Sequence, residues 1–281
     1  MEKLSLTILF LIITLNVNSQ TFEQADNLVE DFFNKEIKRY KSVLDGEAKK
    51  QDYNPKNIPE DSTFEFLKIR DDKETNVFAV QISTDDKVSD IYVFLEKVKN
   101  DWKIIAFRSL WLPPFYYEML NEYNGLNDNQ LEIEYEKLFV NAKKSNDTIS
   151  KSQFEKVVGT KSEFIYEVKN MRLTVKSDSE LINHFNDNEN EINEIKSNIK
   201  FEDDKYMISS KKSEFKSDFQ KTGISLVKKN NSMLLFVIGG MIDNEVGYMF
   251  CPNPSELPTI TDRGFIMIRE IGKGWYLYKT T

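Results

Sequence analysis

Four apolar, alternating segments follow one another between residues 64 and 112, and the few charged residues between them leave little choice of fold. The segments are Phe64 to Ile69, "NVFAVQIS" (76–83), "VSDIYVFLEKV" (88–98) and "DWKIIAFRSLWL" (101–112). Arg70 to Thr75, Thr84 to Lys87 and Lys99-Asn100-Asp101 separate them. A parallel crossover needs a dozen residues or more, so spacers this short predict hairpins and an antiparallel meander. In the second segment Phe78, Val80 and Ile82 share one face. Such a face needs cover, and an amphipathic helix is predicted just ahead of it. Ala25, Leu28, Val29, Phe32, Phe33, Ile37, Tyr40 and Leu44 form one stripe at helical spacing. Thr21 and Gln24 have the spacing of a capping box, and Gly46 with the polar stretch after it ends the helix.

The second half repeats this order. Pro113 and Pro114 in "LWLPPFYYEML" stop the fourth strand and open a helix. Helical spacing continues through Met119, Leu120 and Tyr123, then through Leu131, Tyr135, Leu138 and Ala142. The polar stretch 141–153 is the linker candidate, and "FIYEVKNMRLTV" (164–175) fits either a strand pair or a helix end. Ser177 and Glu180 form another capping box, before a stripe of Leu181, Phe185, Ile192, Ile195 and Ile199. "KKSEFKSDFQK" reads as a shorter helix. Five strand-like runs close the chain, with Pro252, Pro254 and Pro258 in a loop between the third and fourth. The expected architecture is α+β, two units of helix followed by antiparallel meander. The boundaries are a signal peptide at 1–19, a first unit at 20–112, a helical and polar connector at 113–176 and a second unit at 177–281.

The two closing hairpins match in register. Val98-Lys99-Asn100-Asp101-Trp102 aligns with Ile271-Gly272-Lys273-Gly274-Trp275. Duplication and a shared hairpin preference both account for this. Alternation puts both indoles on the helix-facing side, Trp102 with Ile104 and Ala106, Trp275 with Leu277, and turns Tyr276 and Tyr278 away. The hairpin "EKVKNDWKII" resembles the last strands of NTF2-like and cystatin-like domains, over Thr21 to Leu112 and more loosely over Ser177 to Thr281. The NTF2-like resemblance implies a conical pocket. The Asp–His pair of catalytic members does not carry over, because the first half has no histidine. The whole chain also resembles exported bacterial proteins without an assigned activity.

The N-terminus has the three-part layout of a secretory signal: Lys3, an apolar run from Leu4 to Leu15, then small polar residues. Val17 and Ser19 occupy the −3 and −1 positions for cleavage between Ser19 and Gln20. The run is short of the roughly 20 apolar residues a membrane span needs. A cleaved signal and an exported protein, periplasmic or secreted, are expected, with no transmembrane segment afterwards.

Composition excludes several chemistries. A net charge of −8, with lysine pairs interleaved among acids, argues against nucleic acid as a partner. One cysteine, Cys251, forms no internal disulfide, and one histidine, His184, with one cysteine makes no zinc set. Cys251 reads as a small structural side chain, since a catalytic thiol needs a base beside it. No phosphate-binding glycine loop, calcium loop or nucleophile elbow occurs, so no catalytic, cofactor-binding or metal residues are assigned. "DST" (61–63) and "DTI" (147–149) resemble a short O-glycosylation signal of some exported bacterial proteins, and also read as ordinary turn residues. "LWLPPFYY" (110–117) is the densest aromatic stretch outside a strand. Trp111, Phe115 and Tyr116 are expected to be covered, by the chain itself or by a partner. A non-catalytic binding or envelope-associated protein for an unknown protein or small ligand is the leading expectation. The alternatives are a carboxylate- and tyrosine-based pocket enzyme, or an acidic inhibitor of a basic secreted partner.

Overall fold

A computed structural model describes residues 22–85, 87–201, 206–209 and 214–281. The expected signal peptide with its Ser19–Gln20 cut, and Thr21 of the expected capping box, lie outside the described residues. The chain is an α+β protein with a four-stranded and a six-stranded antiparallel sheet. It divides into two compact units, one ending at Arg108 and the other beginning at Ser109. The stretch 141–153 is no linker between them. It holds the end of one helix of the second unit and the start of the next.

In the first unit, helix α1 (Ala25–Phe33) buries Ala25, Leu28, Val29, Phe32 and Phe33. It begins after Gln24, which makes no side-chain cap, and it stops well short of Leu44. Lys35 takes a left-handed φ of 63° there and ends the helical path. Ile37, Val43 and Leu44 still enter the core, carried by irregular chain and not by a continued helix. A short helix α2 (Gly46–Lys50) follows, capped by Asp45. Strands β1 (Thr63–Asp71), β2 (Thr75–Ser83), β3 (Val88–Val98) and β4 (Asp101–Arg108) then pair in sequence order. Positive φ at both Lys99 and Asn100 makes the last turn the kind whose twist suits a two-residue hairpin.

Strand β4 is an edge, and its unpaired groups are met by passing chain. Ile104 donates to the Val43 carbonyl and accepts from Asp45, and Trp102 donates to the Phe22 carbonyl. A β-bulge at Ile105 resets the alternation: Leu95 pairs with Ile104, but Phe94 pairs with Ala106. Trp102, Ile104 and Phe107 therefore share the core with Phe78, Val80, Val93 and Leu95. Ala106, expected beside Trp102, moves to the opposite face.

The second unit opens with four helices, α3 (Pro114–Tyr123), α4 (Asp128–Ser145), α5 (Lys151–Val158) and α6 (Lys161–Thr174). Tyr123, Leu131, Tyr135, Phe154, Phe164 and Val168 form their common core. Capping boxes start α4, α5 and α6 at Asn127, Ser150 and Thr160. The ambiguous stretch 164–175 thus lies in a helix up to Thr174. Helix α6 docks on the sheet, with Tyr166 donating to the Ile224 carbonyl and Asn170 to that of Ile238. Gly239 allows this approach, since a Cβ there would meet Thr174 Oγ1 at 2.1 Å. The capping box at Ser177 starts α7 (Asp178–Asp187), and α8 (Glu189–Asn198) continues after a break at Asn188. Together they bury Leu181, Phe185, Ile192 and Ile195. Helix α9 (Lys216–Thr222) completes the helical set among the described residues.

Strands β5 (Met207–Ser209), β6 (Leu226–Asn230), β7 (Met233–Met241), β8 (Asn244–Phe250), β9 (Phe265–Gly272) and β10 (Trp275–Thr280) are arranged β5-β6-β7-β8-β10-β9. This departs from the expected meander. The proline-bearing loop 251–264 carries the chain past one strand position, and β10 returns to pair with both β8 and β9. The two closing hairpins are therefore docked differently: β3 pairs back in the first unit, and the final strand pairs back in the second.

Candidate functional site: a pocket between helix and sheet

The first unit holds a cavity of about 610 Å³ against the end of α1 and the β2–β3 side of the sheet. Phe32 and Phe33 come from the last turn of α1, Ile82 and Ile91 from β2 and β3, and Phe107 from β4. The same bulge that displaces Ala106 puts Phe107 here. The rings form one aromatic wall, with Phe32–Phe107 centroids 5.4 Å apart and Tyr53–Phe107 centroids 4.3 Å apart.

The remaining wall is the loop 51–59, which supplies Tyr53, Pro55 and Ile58. Local bonds hold it in place. Lys35 Nζ donates to the Ile58 carbonyl at 2.7 Å, Lys41 pairs with Asp52 at 2.9 Å, and the Asn54 side chain accepts from the Lys56 amide. Burial pushes the Tyr53 phenol above its ordinary range, opposed by nearby Arg108 and reinforced by Glu47. Tyr53 is thus a neutral hydroxyl at physiological pH. Gln51, Asp52, Asn54, Asn57, Thr84, Lys87 and Ser89 add polar groups to a lining whose exposed surface is mostly apolar. A concave, mostly apolar cavity of this size with a few polar groups is the usual form of a small-molecule site.

Elsewhere the chemically reactive side chains are engaged in structure. Cys251 is fully buried, and its Sγ donates to the Asn253 carbonyl at 3.1 Å. The Tyr248 hydroxyl donates to the Leu181 carbonyl and takes its second bond from His184 Nδ1, both at 2.8 Å. With the tyrosine proton committed to Leu181, His184 Nδ1 must be the donor in that pair. Burial lowers the His184 pKa and keeps the ring neutral. Among the described residues no cluster of His, Cys, Asp and Glu is arranged to hold a metal ion.

The aromatic stretch before α3 divides. Tyr116 is buried, its hydroxyl 3.5 Å from the Met171 carbonyl, and burial pushes its pKa up to about 12. Trp111 and Phe115 are 59% and 49% exposed, so of the three residues expected to be covered by the chain itself or by a partner, the chain covers Tyr116. Helix α3 buries Tyr116 and Tyr123, one stripe of its surface, and Phe115 falls outside that stripe. No local signal in the sequence marks the residues around the pocket. Phe32, Phe33 and Ile82 all read as core, and nothing local separates a core phenylalanine from one lining a cavity.

Fold and site together define an α+β protein with two antiparallel sheets and an apolar pocket in its first unit. Among the described residues no helix is long and apolar enough to cross a membrane. Comparison with protein-family models, curated proteins and solved structures finds no match for this chain.

Proposed function

We propose that this is an exported, non-catalytic binding protein whose first unit takes a small, largely apolar ligand. The pocket between α1 and the four-stranded sheet is the observation that carries this reading. Its walls offer aromatic and aliphatic contact, and its polar groups offer hydrogen bonds to one end of a ligand. Asp52, the carboxylate on its lining, is paired with Lys41, which favours binding over acid–base chemistry. A helix across a four-stranded antiparallel sheet also supports reading the first unit as NTF2-like in layout.

Export rests on the layout of residues 1–19. Mass spectrometry of the native protein should find Gln20 at its N-terminus, and intact Met1 in the membrane fraction would reject a cleaved signal. Ligand binding is tested with an apolar, environment-sensitive dye. The protein should enhance its fluorescence and saturate with about one site, in the micromolar range for a pocket of this size. Ser89→Trp, which fills the cavity from a partly exposed strand position, should abolish the signal. Equal fluorescence in the two proteins would sink the proposal.

A further inference from the structure

Helix α4 has two apolar faces, and only one belongs to the core. Leu131 and Tyr135 are fully buried, and Leu138 and Ala142 pack beside them. On the opposite side Ile133 and Val140 are 56% and 49% exposed, seven residues or about 10 Å apart along the axis. They line a shallow groove of about 710 Å³ with Glu132, Glu136, Lys137 and Lys161.

Charge is sorted along the same helix. Asp128, Glu132, Glu134 and Glu136 occupy its first half, and Lys137, Lys143 and Lys144 its second. The helix dipole favours that order, but it gives no reason for two exposed aliphatic residues between the charges. A second helix of the same sequence does. Ile133 stands three residues before Glu136, and Val140 stands three residues after Lys137. A twofold axis between Glu136 and Lys137 therefore sets Ile133 against the second copy's Val140. It also sets Glu136 against the second copy's Lys137, and Asn129 against its Lys144. Every contact occurs twice, as an isologous interface requires. Parallel pairing would put acid against acid and base against base, so the charges select the antiparallel orientation.

The geometry points to self-association of this protein as a twofold dimer through the outer face of α4, with Ile133 and Val140 at its centre. The existing ion pairs, Glu134 with Lys137 and Glu136 with both Lys151 and Lys161, are solvent-exposed and weak, and exchange partners at small cost. Contact through a single helix face is a small interface, so the dimer is a reversible one.

Sedimentation equilibrium over a concentration series tests this. The expected result is a monomer–dimer equilibrium with a dissociation constant of about 10–100 µM, the range of small transient interfaces. Ile133→Lys and Val140→Lys should each leave a monomer throughout, with unchanged far-ultraviolet circular dichroism. Glu136→Lys and Lys137→Glu, both at exposed positions that folding tolerates, should each weaken self-association about tenfold. An equimolar mixture of these two variants should recover it, because their heterodimer again sets acid against base at both contacts. A wild-type monomer at every concentration would overturn the proposal. So would a dimer untouched by Ile133→Lys, or a mixture that associates no better than either charge variant alone.

Discussion

Lys279 Nζ lies 2.8 Å from Asp178 Oδ1, and the two side chains are only 6% and 3% exposed. The pair ties the last strand of the chain to the first turn of α7. Withdrawing both charges from water is costly, so the pair is held by mutual attraction and not by net gain over an apolar contact. Asp178→Asn or Lys279→Met alone should lose about 3–5 kcal/mol of unfolding free energy, because each takes this partner away from a buried charge. Asp178→Leu with Lys279→Met should recover most of that loss. Urea denaturation of the singles and the double measures the coupling directly. A double variant as unstable as either single would show that the pair contributes more than charge compensation.

Trp102 and Trp275 each open the final strand of their sheet and turn the indole toward the helices. Trp102 packs in the core with Ile104 and Phe107, while Trp275 meets Phe185 and Phe236 with centroids 5.3 and 5.0 Å away. Trp102→Ala and Trp275→Ala should each cost about 3–5 kcal/mol through lost burial and the cavity left behind. Trp275 Nε1 also lies 3.3 Å from Asn193 Oδ1. Trp275→Phe should therefore keep much of the packing while losing that bond, and fall between wild type and alanine. Thermal unfolding ranks the three proteins. A Trp275→Ala variant with unchanged stability would mean that the second sheet does not depend on this ring.

Lowering the pH should destabilise the second unit through His184. Burial holds its folded pKa below the unfolded value of 6.5, with Asp187 offsetting part of the shift. The unfolded chain then binds the proton first as pH falls. The contribution of neutral His184 is complete above about pH 6.5 and is lost progressively below it. His184→Gln should flatten the stability profile between about pH 7 and 5 relative to wild type. Parallel profiles for the two proteins over that range would refute a titrating role.

Glu163 predicts a separate acid transition. Its carboxylate pairs with Lys216 at 2.8 Å and accepts from the Thr160 amide, and these bonds lower its pKa to about 2. The folded state thus gains from the ionised carboxylate above the ordinary value of 4.5, and that gain fades as pH falls toward 2. Glu163→Gln keeps the hydrogen-bonding shape of the capping box but not the ion pair. Its destabilisation relative to wild type should be full at pH 7 and shrink steadily below about pH 4.5. Urea midpoints measured at several pH values read this out, and a difference independent of pH would assign the effect to shape alone.

Which segments become strands or helices was legible wherever the signal is local. The strands of the first sheet, the two-residue turns at Lys99-Asn100 and Lys273-Gly274, the stripe from Ala25 to Phe33 and the start of α7 at Ser177 all follow from residue spacing and turn chemistry. The helical identity of residues 161–174 is equally local, since Thr160 and Glu163 form a capping box just ahead of the mixed apolar pattern. Other features depend on groups far apart in the chain. The bulge at Ile105 is a matter of pairing with β3, and it decides that Phe107 and not Ala106 reaches the core and the pocket. The place of β10 between β8 and β9 rests on Trp275 pairing with Phe250 as well as Gly272, a choice no periodicity records. The pocket is closed on one side by the loop 51–59, which Lys35 and Lys41 tie in place through Ile58 and Asp52. Alternation and capping belong to a few neighbouring residues, so the sequence alone determined the elements. Register, strand order and a concave volume arise only when distant segments meet, so the tertiary structure alone decided where the site lies.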